Sequence, residues 1–313
     1  MQDGGARAAG TGFAGRLAAR VASRESQIVL GLDPDPARLW PVAQAAAEGH
    51  ATAGEAAAAA VAAHCRALVD AAGPACVAVK PQVACFERLG APGWAALAEV
   101  ARHAASAGLL VLADAKRGDI DVTATAYGQA HLTGTPTPWG RVDGLAADAL
   151  TVNPYLGADA LAPFAAAAQE ADAGLFVLVR TSNPGAADVE DLELAEGGPL
   201  WQRVARLVAR LGDGLDAGAP LSSIGAVMGA TRPEHLERAR ELLPRAPFLL
   251  PGIGAQGGRV EDLAPAFAPG PAGGLVTASR AIARAHESQG GEPASAARAE
   301  AERLRAAAWA LAA

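Results

Sequence analysis

Eight short apolar runs of strand character punctuate the chain, and segments of helical character separate each from the next. The runs are Ile28 to Leu32, Ala75 to Val79, Leu109 to Ala113, Ala149 to Val152, Leu175 to Val179, Ile224 to Met228, Phe248 to Leu250 and Leu275 to Ala278. Strand and helix alternating along a whole chain imply parallel pairing, because each helix returns the chain to the end of the sheet where the last strand began. Eight repeats is the number that closes such a sheet on itself. The expected fold is therefore α/β, a TIM (β/α)8 barrel in a single domain over residues 13–313. A C-terminal helix from Ser295 to Ala312 should pack on its outside. Residues 1–12 are polar and rich in Gly and Ala, with no apolar stretch of signal-peptide length, and read as a flexible tail.

Polar or Gly/Pro-rich residues follow almost every run: Asp33-Pro34, Lys80-Pro81, Asp114-Ala115-Lys116, Asn153-Pro154, Arg180 to Pro184, Gly229 to Thr231, Gly252 to Gly258 and Ser279-Arg280. In this fold the carboxyl ends of the strands make the catalytic face. Two connections are long. Gly134 to Gly144 is rich in Pro and Gly, and Asn183 to Gly198 is acidic and has the position either of a lid or of an inert surface insertion.

Chemistry concentrates in one stretch, LLVLADAKRGDID, from Leu109 to Asp121. Side chains alternate along a strand, so Leu110, Leu112, Asp114 and Lys116 share a face and the last two stand side by side at the rim. Asp119 lies beyond Gly118, where the chain must turn into a helix. It need not point into the pocket shared by Asp114 and Lys116, and it is placed either to cap that helix or to serve a neighbouring subunit.

The segment PGIGAQGG contains a formal GxGxxG at Gly252, Gly254 and Gly257. A dinucleotide fingerprint belongs in the first βα unit with an acidic residue about twenty positions on. Here the glycines follow the seventh run, and the eighth ends in Ser279-Arg280. The loops after strands seven and eight of a barrel are a usual phosphate site, with backbone N–H groups facing the anion and Arg280 adding a charge.

The balance of charge narrows the partners. Net charge is −7 with a pI near 5.4, and the basic residues are scattered, so the footprint of a nucleic-acid binder is missing. A small molecule is the expected partner. Cys65, Cys76 and Cys85 form no CxxC pair, which fits a reducing compartment, and the histidines show no zinc-binding spacing. The alanine-rich stretch Ala43 to Ala72 carries too many charged residues for a membrane span, and a cytoplasmic location is expected.

Taken in order, GLDPD (Gly31 to Asp35), VKPQ (Val79 to Gln82), DAKRGDI (Asp114 to Ile120), TVNPYLG (Thr151 to Gly157), RTSNPG (Arg180 to Gly185), PGIGAQGG and TASR make the chain resemble the orotidine 5′-monophosphate decarboxylases, in their longer bacterial subgroup. The resemblance implies conversion of orotidine 5′-phosphate to UMP and CO2 in pyrimidine biosynthesis, with no metal, flavin or pyridoxal cofactor. It assigns Lys116 to stabilise the C6 carbanion and deliver its proton, Asp114 to sit against the substrate carboxylate, and Lys80 to complete an alternating charge chain. It implies a homodimer in which Asp119 and Thr123, with Ile120 beside them, are contributed across the interface. Substrate binding falls to Asp33 at the ribose, Ser182 at the pyrimidine edge, Gln256 and Gly257 in the glycine loop, and Ser279 and Arg280 at the phosphate.

Two other readings compete. A metal-dependent sugar-phosphate decarboxylase or aldolase of the same superfamily keeps Asp-x-Lys-x-x-Asp, but it has an acidic metal ligand where this chain has Lys80, a poor neighbour for a divalent cation. A non-catalytic phosphate-binding barrel would leave Asp114, Lys116 and Asp119 without a task. The first rival is open to direct test: turnover of orotidine 5′-phosphate should survive exhaustive EDTA treatment, whereas loss restored by Mg²⁺ would favour the metal enzyme.

Overall fold

The computed structural model describes residues 12–216, 218–230, 232–253 and 258–312. The tail expected over residues 1–12 falls outside them except for Gly12. All eight runs form strands: β1 (Ile28–Leu32), β2 (Ala78–Pro81), β3 (Leu110–Arg117), β4 (Ala149–Val152), β5 (Gly174–Arg180), β6 (Ile224–Met228), β7 (Phe248–Leu250) and β8 (Gly274–Ala278). Each pairs in parallel with its sequence neighbours, and β8 returns to pair with β1 in a closed eight-stranded barrel.

Several boundaries differ from the sequence reading, and each has a local cause. Gly73–Ala75 form a 3-10 turn around Pro74, which has no N–H to give a sheet, so β2 begins later and carries Lys80 within the strand. β3 extends to Arg117, so the charged residues belong to the strand itself. Its register against β4 shifts between Ala113 and Arg117, and Lys116 takes a left-handed conformation with φ 49°. The simple alternation expected there is thus broken by a bulge. The long connection 134–144 contains an antiparallel hairpin, Thr135–Thr137 with Gly140–Val142. The last helix begins at Pro293.

Burial divides alternate strand residues between two layers. Ile28, Leu30, Val79, Val111, Leu150, Leu175 and Val177 join the layer that packs under the helices. Val29, Ala78, Leu110, Leu112, Ala149, Phe176, Val227, Leu249 and Leu275 fill the barrel together with Phe13, Leu17 and Val21 of the first helix, Phe13–Arg24. That helix closes the amino-terminal end of the barrel. Phe13 meets Phe176 edge-on at 6.0 Å, Arg16 Nη2 pairs with Asp148 at 2.8 Å, and Arg24 Nη1 donates to the carbonyls of Gly73 and Cys76 at 2.7 Å.

The helices start where sequence chemistry directs. Ala53–Ala72 opens with a reciprocal cap: the Thr52 hydroxyl accepts from Glu55 N, and the Glu55 carboxylate accepts from Thr52 N. Alanine then propagates the helix at little entropic cost. The final helix, Pro293–Ala312, buries Ala297, Ala301, Leu304 and Ala308 against the barrel's outer layer. No helix among the described residues is long and apolar enough to cross a membrane.

The plug gives a stability test. A Cβ on Gly174 would lie 2.3 Å from the buried Phe13 ring, so Gly174→Ala should destabilise by about 1–3 kcal/mol through overpacking. Gly214, in the helix Leu200–Leu215, has open space around it, and Gly214→Ala should stabilise by up to about 1 kcal/mol. Urea unfolding of both variants checks the contrast; equal effects would show that Phe13 does not constrain the barrel floor.

Candidate active site

At the carboxyl end of the barrel lies a cavity of about 420 Å³. Every strand except β4 lines it directly or through the loop that follows, and β4 contributes from behind. β2 and β3 deliver the charges. Lys80 and Asp114 are 6% and 5% exposed, a placement that would cost several kcal/mol for either charge left alone. Asp114 is instead surrounded by donors. Its Oδ2 accepts from Lys80 Nζ and from Gln82 Nε2 at 3.1 Å; its Oδ1 accepts from Lys116 Nζ at 2.5 Å and from the Thr151 hydroxyl at 3.0 Å. These contacts use the acceptor capacity of an ionised carboxylate.

The electrostatics follow from this arrangement. Burial alone would push the Asp114 carboxyl up, but Lys80 and then Lys116 outweigh it and bring the pKa down to about 2. Burial likewise works against the Lys80 ammonium, yet Asp114 and Asp33 together hold its pKa above the ordinary lysine value. Asp33, Lys80, Asp114 and Lys116 thus form a chain of alternating charge along one cavity wall.

Lys116 is the exposed end of that chain. Its side chain is 43% exposed, against 7% for that of Lys80, so its ammonium retains donors to offer to the cavity. The left-handed backbone at Lys116 costs about 1–2 kcal/mol for a residue with a Cβ. The Thr151 hydroxyl accepts from Lys116 N at 2.9 Å while donating to Asp114. One buried hydroxyl on β4 thereby fixes both the bulge and the carboxylate.

Opposite stand the candidate phosphate residues. Ser279 and Arg280 line the cavity with Pro251, Gly252 and Ile253. The exposed Arg280 guanidinium has no carboxylate partner among the described residues. Close approach here requires glycine: a Cβ on Gly31 would lie 1.7 Å from Ser279 Oγ, and one on Gly258 would lie 2.8 Å from Gly252 O. The helix that follows Ser279 is a single turn, Arg280–Ala283. Gln256 and Gly257 lie outside the described residues.

Of the residues singled out by sequence, Asp33, Lys80, Asp114, Lys116, Ser182, Ser279 and Arg280 come together at the cavity. Asp119 and Thr123 are not among the residues lining it. Asp119 Oδ1 accepts from Ile120 N at 2.8 Å, and Thr123 lies exposed on the helix Asp121–Gly128. Of the two alternatives for Asp119, the cap does not form: Ile120 takes the capping position and no side chain caps that helix. Next to these residues, Ile120 and Val122 are 49% and 82% exposed.

Gln82, Thr151 and Thr277 carry site geometry that the sequence reading did not assign. Each had a signal. Gln82 follows Lys80 at the two-residue spacing of one strand face, and the threonines interrupt otherwise apolar runs. Thr277 is 5% exposed, and its hydroxyl finds no partner among the described residues. It lines the cavity.

Residues 26–298 match the family model described as orotidine 5′-phosphate decarboxylase / HUMPS family. An orotidine 5′-phosphate decarboxylase of Deinococcus radiodurans is 43% identical over 272 residues, covering 86% of this chain and 88% of that protein. One of Rhodopirellula baltica is 42% identical over 280 residues, covering 88% and 89%. Among solved structures, the Leishmania donovani OMP decarboxylase superposes with a TM-score of 0.70 at 32% identity, covering 95% of this chain and 98% of that one.

The depressed Asp114 pKa gives a pH test whose sign is fixed. A carboxylate that ionises more readily folded than unfolded adds stability above its unfolded pKa of about 3.9, and loses it as pH falls toward about 2. The stability difference between the parent and Asp114→Asn should therefore shrink by about 1 kcal/mol from pH 5 to pH 3. Denaturant titrations at the two pH values measure it. A difference independent of pH would show that the lysines do not hold the carboxylate ionised.

Proposed function

This chain belongs to the orotidine 5′-phosphate decarboxylase / HUMPS family, and we propose that it is the carboxy-lyase that converts orotidine 5′-phosphate to UMP and CO2 in pyrimidine biosynthesis. The observation that carries this reading is the buried Asp114 carboxylate held between Lys80 and Lys116 at the cavity wall. Loss of CO2 from C6 leaves a carbanion with no adjacent carbonyl to delocalise it, so catalysis needs positive charge where that pair develops. Lys116 supplies it and then protonates C6. Asp114 faces the substrate carboxylate, an unfavourable contact relieved as CO2 departs.

The remaining roles are those that the family resemblance implies, and the cavity lining at Asp33, Lys80, Ser182, Ser279 and Arg280 supports them. Asp33 and Lys80 bind the ribose, Ser182 reads the pyrimidine edge, and Ser279 and Arg280 hold the phosphate with Gln256 and Gly257. Lys80 also separates this reading from the metal-dependent sugar-phosphate enzymes. It occupies the end of β2 and donates to Asp114, so a divalent cation there would meet an ammonium in place of a carboxylate. The reaction needs no cofactor, because the ammonium provides the charge.

We read the active form as a homodimer of one-domain subunits in which Asp119 and Thr123 complete the neighbouring site. The exposed Ile120 and Val122 beside them support this. We also place the enzyme in the cytoplasm, on the unpaired state of Cys65, Cys76 and Cys85.

An ultraviolet assay that follows loss of orotidine 5′-phosphate absorbance tests the function. Lys116→Ala should remain folded and lose at least about a thousandfold in kcat; near-normal turnover would remove Lys116 from the mechanism. Mixing inactive Lys116→Ala and Asp119→Ala subunits should restore activity, since one site of the mixed dimer receives both intact residues. If subunits exchange and no activity returns, Asp119 does not act across the interface.

A further inference from the structure

The connection after β5 is tied back to its own strand by charged side chains that the chemistry above does not use. Arg180 ends β5 and is 7% exposed. Its guanidinium forks onto Asp191, Nε to Oδ1 at 2.8 Å and Nη2 to Oδ2 at 2.9 Å. Nη1 donates to the carbonyl of Thr181 at 2.5 Å and lies 3.4 Å from Glu190 Oε2. Glu190 Oε2 accepts from the backbone N–H of Thr181 at 2.8 Å. The Thr181 hydroxyl lies 2.9 Å from Glu190 Oε1 and 2.7 Å from Asn183 Oδ1.

These contacts converge on Thr181 and Asn183, which with Ser182 form one wall of the cavity. Ser182 sits between two anchored neighbours. Behind it, a Cβ on Gly229 would come within 3.0 Å of Ser182 N and Cα, so that side is closed as well. Glu190 is itself placed by backbone: its N donates to Ala186 O at 2.8 Å, and Trp201 N donates to its O at 2.9 Å.

We propose that Arg180, Glu190 and Asp191 are positioning residues for decarboxylation, a clasp that sets Ser182 against the substrate. This rests on the function read above. A planar guanidinium paired at two points fixes orientation as well as distance, which a single ammonium contact would not do. The acids of the long connection therefore serve the site indirectly. They make its wall rigid before substrate arrives, so that little ordering remains to be done on binding.

A double-mutant cycle separates this role from mere support of the fold. Asp191→Asn keeps the side-chain size and removes the charge and one arm of the fork. It should lower kcat/KM for orotidine 5′-phosphate by about tenfold to a hundredfold, the scale of a misplaced contact, with a melting temperature within a few degrees of the parent. In a Ser182→Ala background the same substitution should cost less than about threefold, because the contact it positions is already gone. Glu190→Gln, taken through the same cycle, decides the matter if Asp191→Asn fails to fold. Equal losses in both backgrounds, or no loss in either, would overturn the clasp. A parent enzyme without turnover would instead overturn the reading on which the clasp rests.

Discussion

The architecture of the site turns on the cost of keeping Asp114 ionised out of water. A buried carboxylate left alone takes up a proton, and a protonated Asp114 would be a neutral donor with nothing to oppose. Lys80 from β2, Lys116 from the β3 bulge and Thr151 from β4 prevent this by converging on its two oxygens, with Gln82 closing the set. Three adjacent strands must therefore hold their register for one side chain to stay charged. The same arrangement leaves two ammonium groups for one buried carboxylate, with Asp33 set further along, and an anionic substrate meets a wall already biased in its favour.

Stability and chemistry occupy opposite ends of the barrel. The amino-terminal end is closed by apolar packing, Phe13 against Phe176, with arginines drawing strand ends and turns onto the first helix. The carboxyl-terminal end contains the strained backbone at Lys116 and the close approach of Gly31 and Ser279. A rigid floor of this kind lets the rim tolerate conformations that would not persist by themselves.

Much of this was legible in the sequence, for identifiable reasons. Strands buried on both faces read as continuous apolar runs, so all eight were visible although the ends of β2 and β3 were not. Asp114 and Lys116 stood out because charge ended such a run. Thr151 and Thr277 did not, since a threonine in a strand reads the same whether it faces a site or fills a gap. The left-handed turn at Lys116 had no glycine to announce it. Arg180 stood out only as the start of RTSNPG after the fifth run, because its partners, Glu190 and Asp191, lie ten or eleven residues away in a segment with no periodic pattern.

The pairing of β8 with β1 makes the cavity a seam between the two ends of the chain. Gly31 packs on Ser279, and Asp33 shares the cavity with Arg280. During synthesis, the residues around Asp33 leave the ribosome long before Arg280 has been translated, and until then the binding surface is incomplete. Contacts this distant in sequence form late and slowly. A nascent fragment thus has no complete pocket in which to hold a nucleotide, and substrate recognition begins only when the last strand docks against the first.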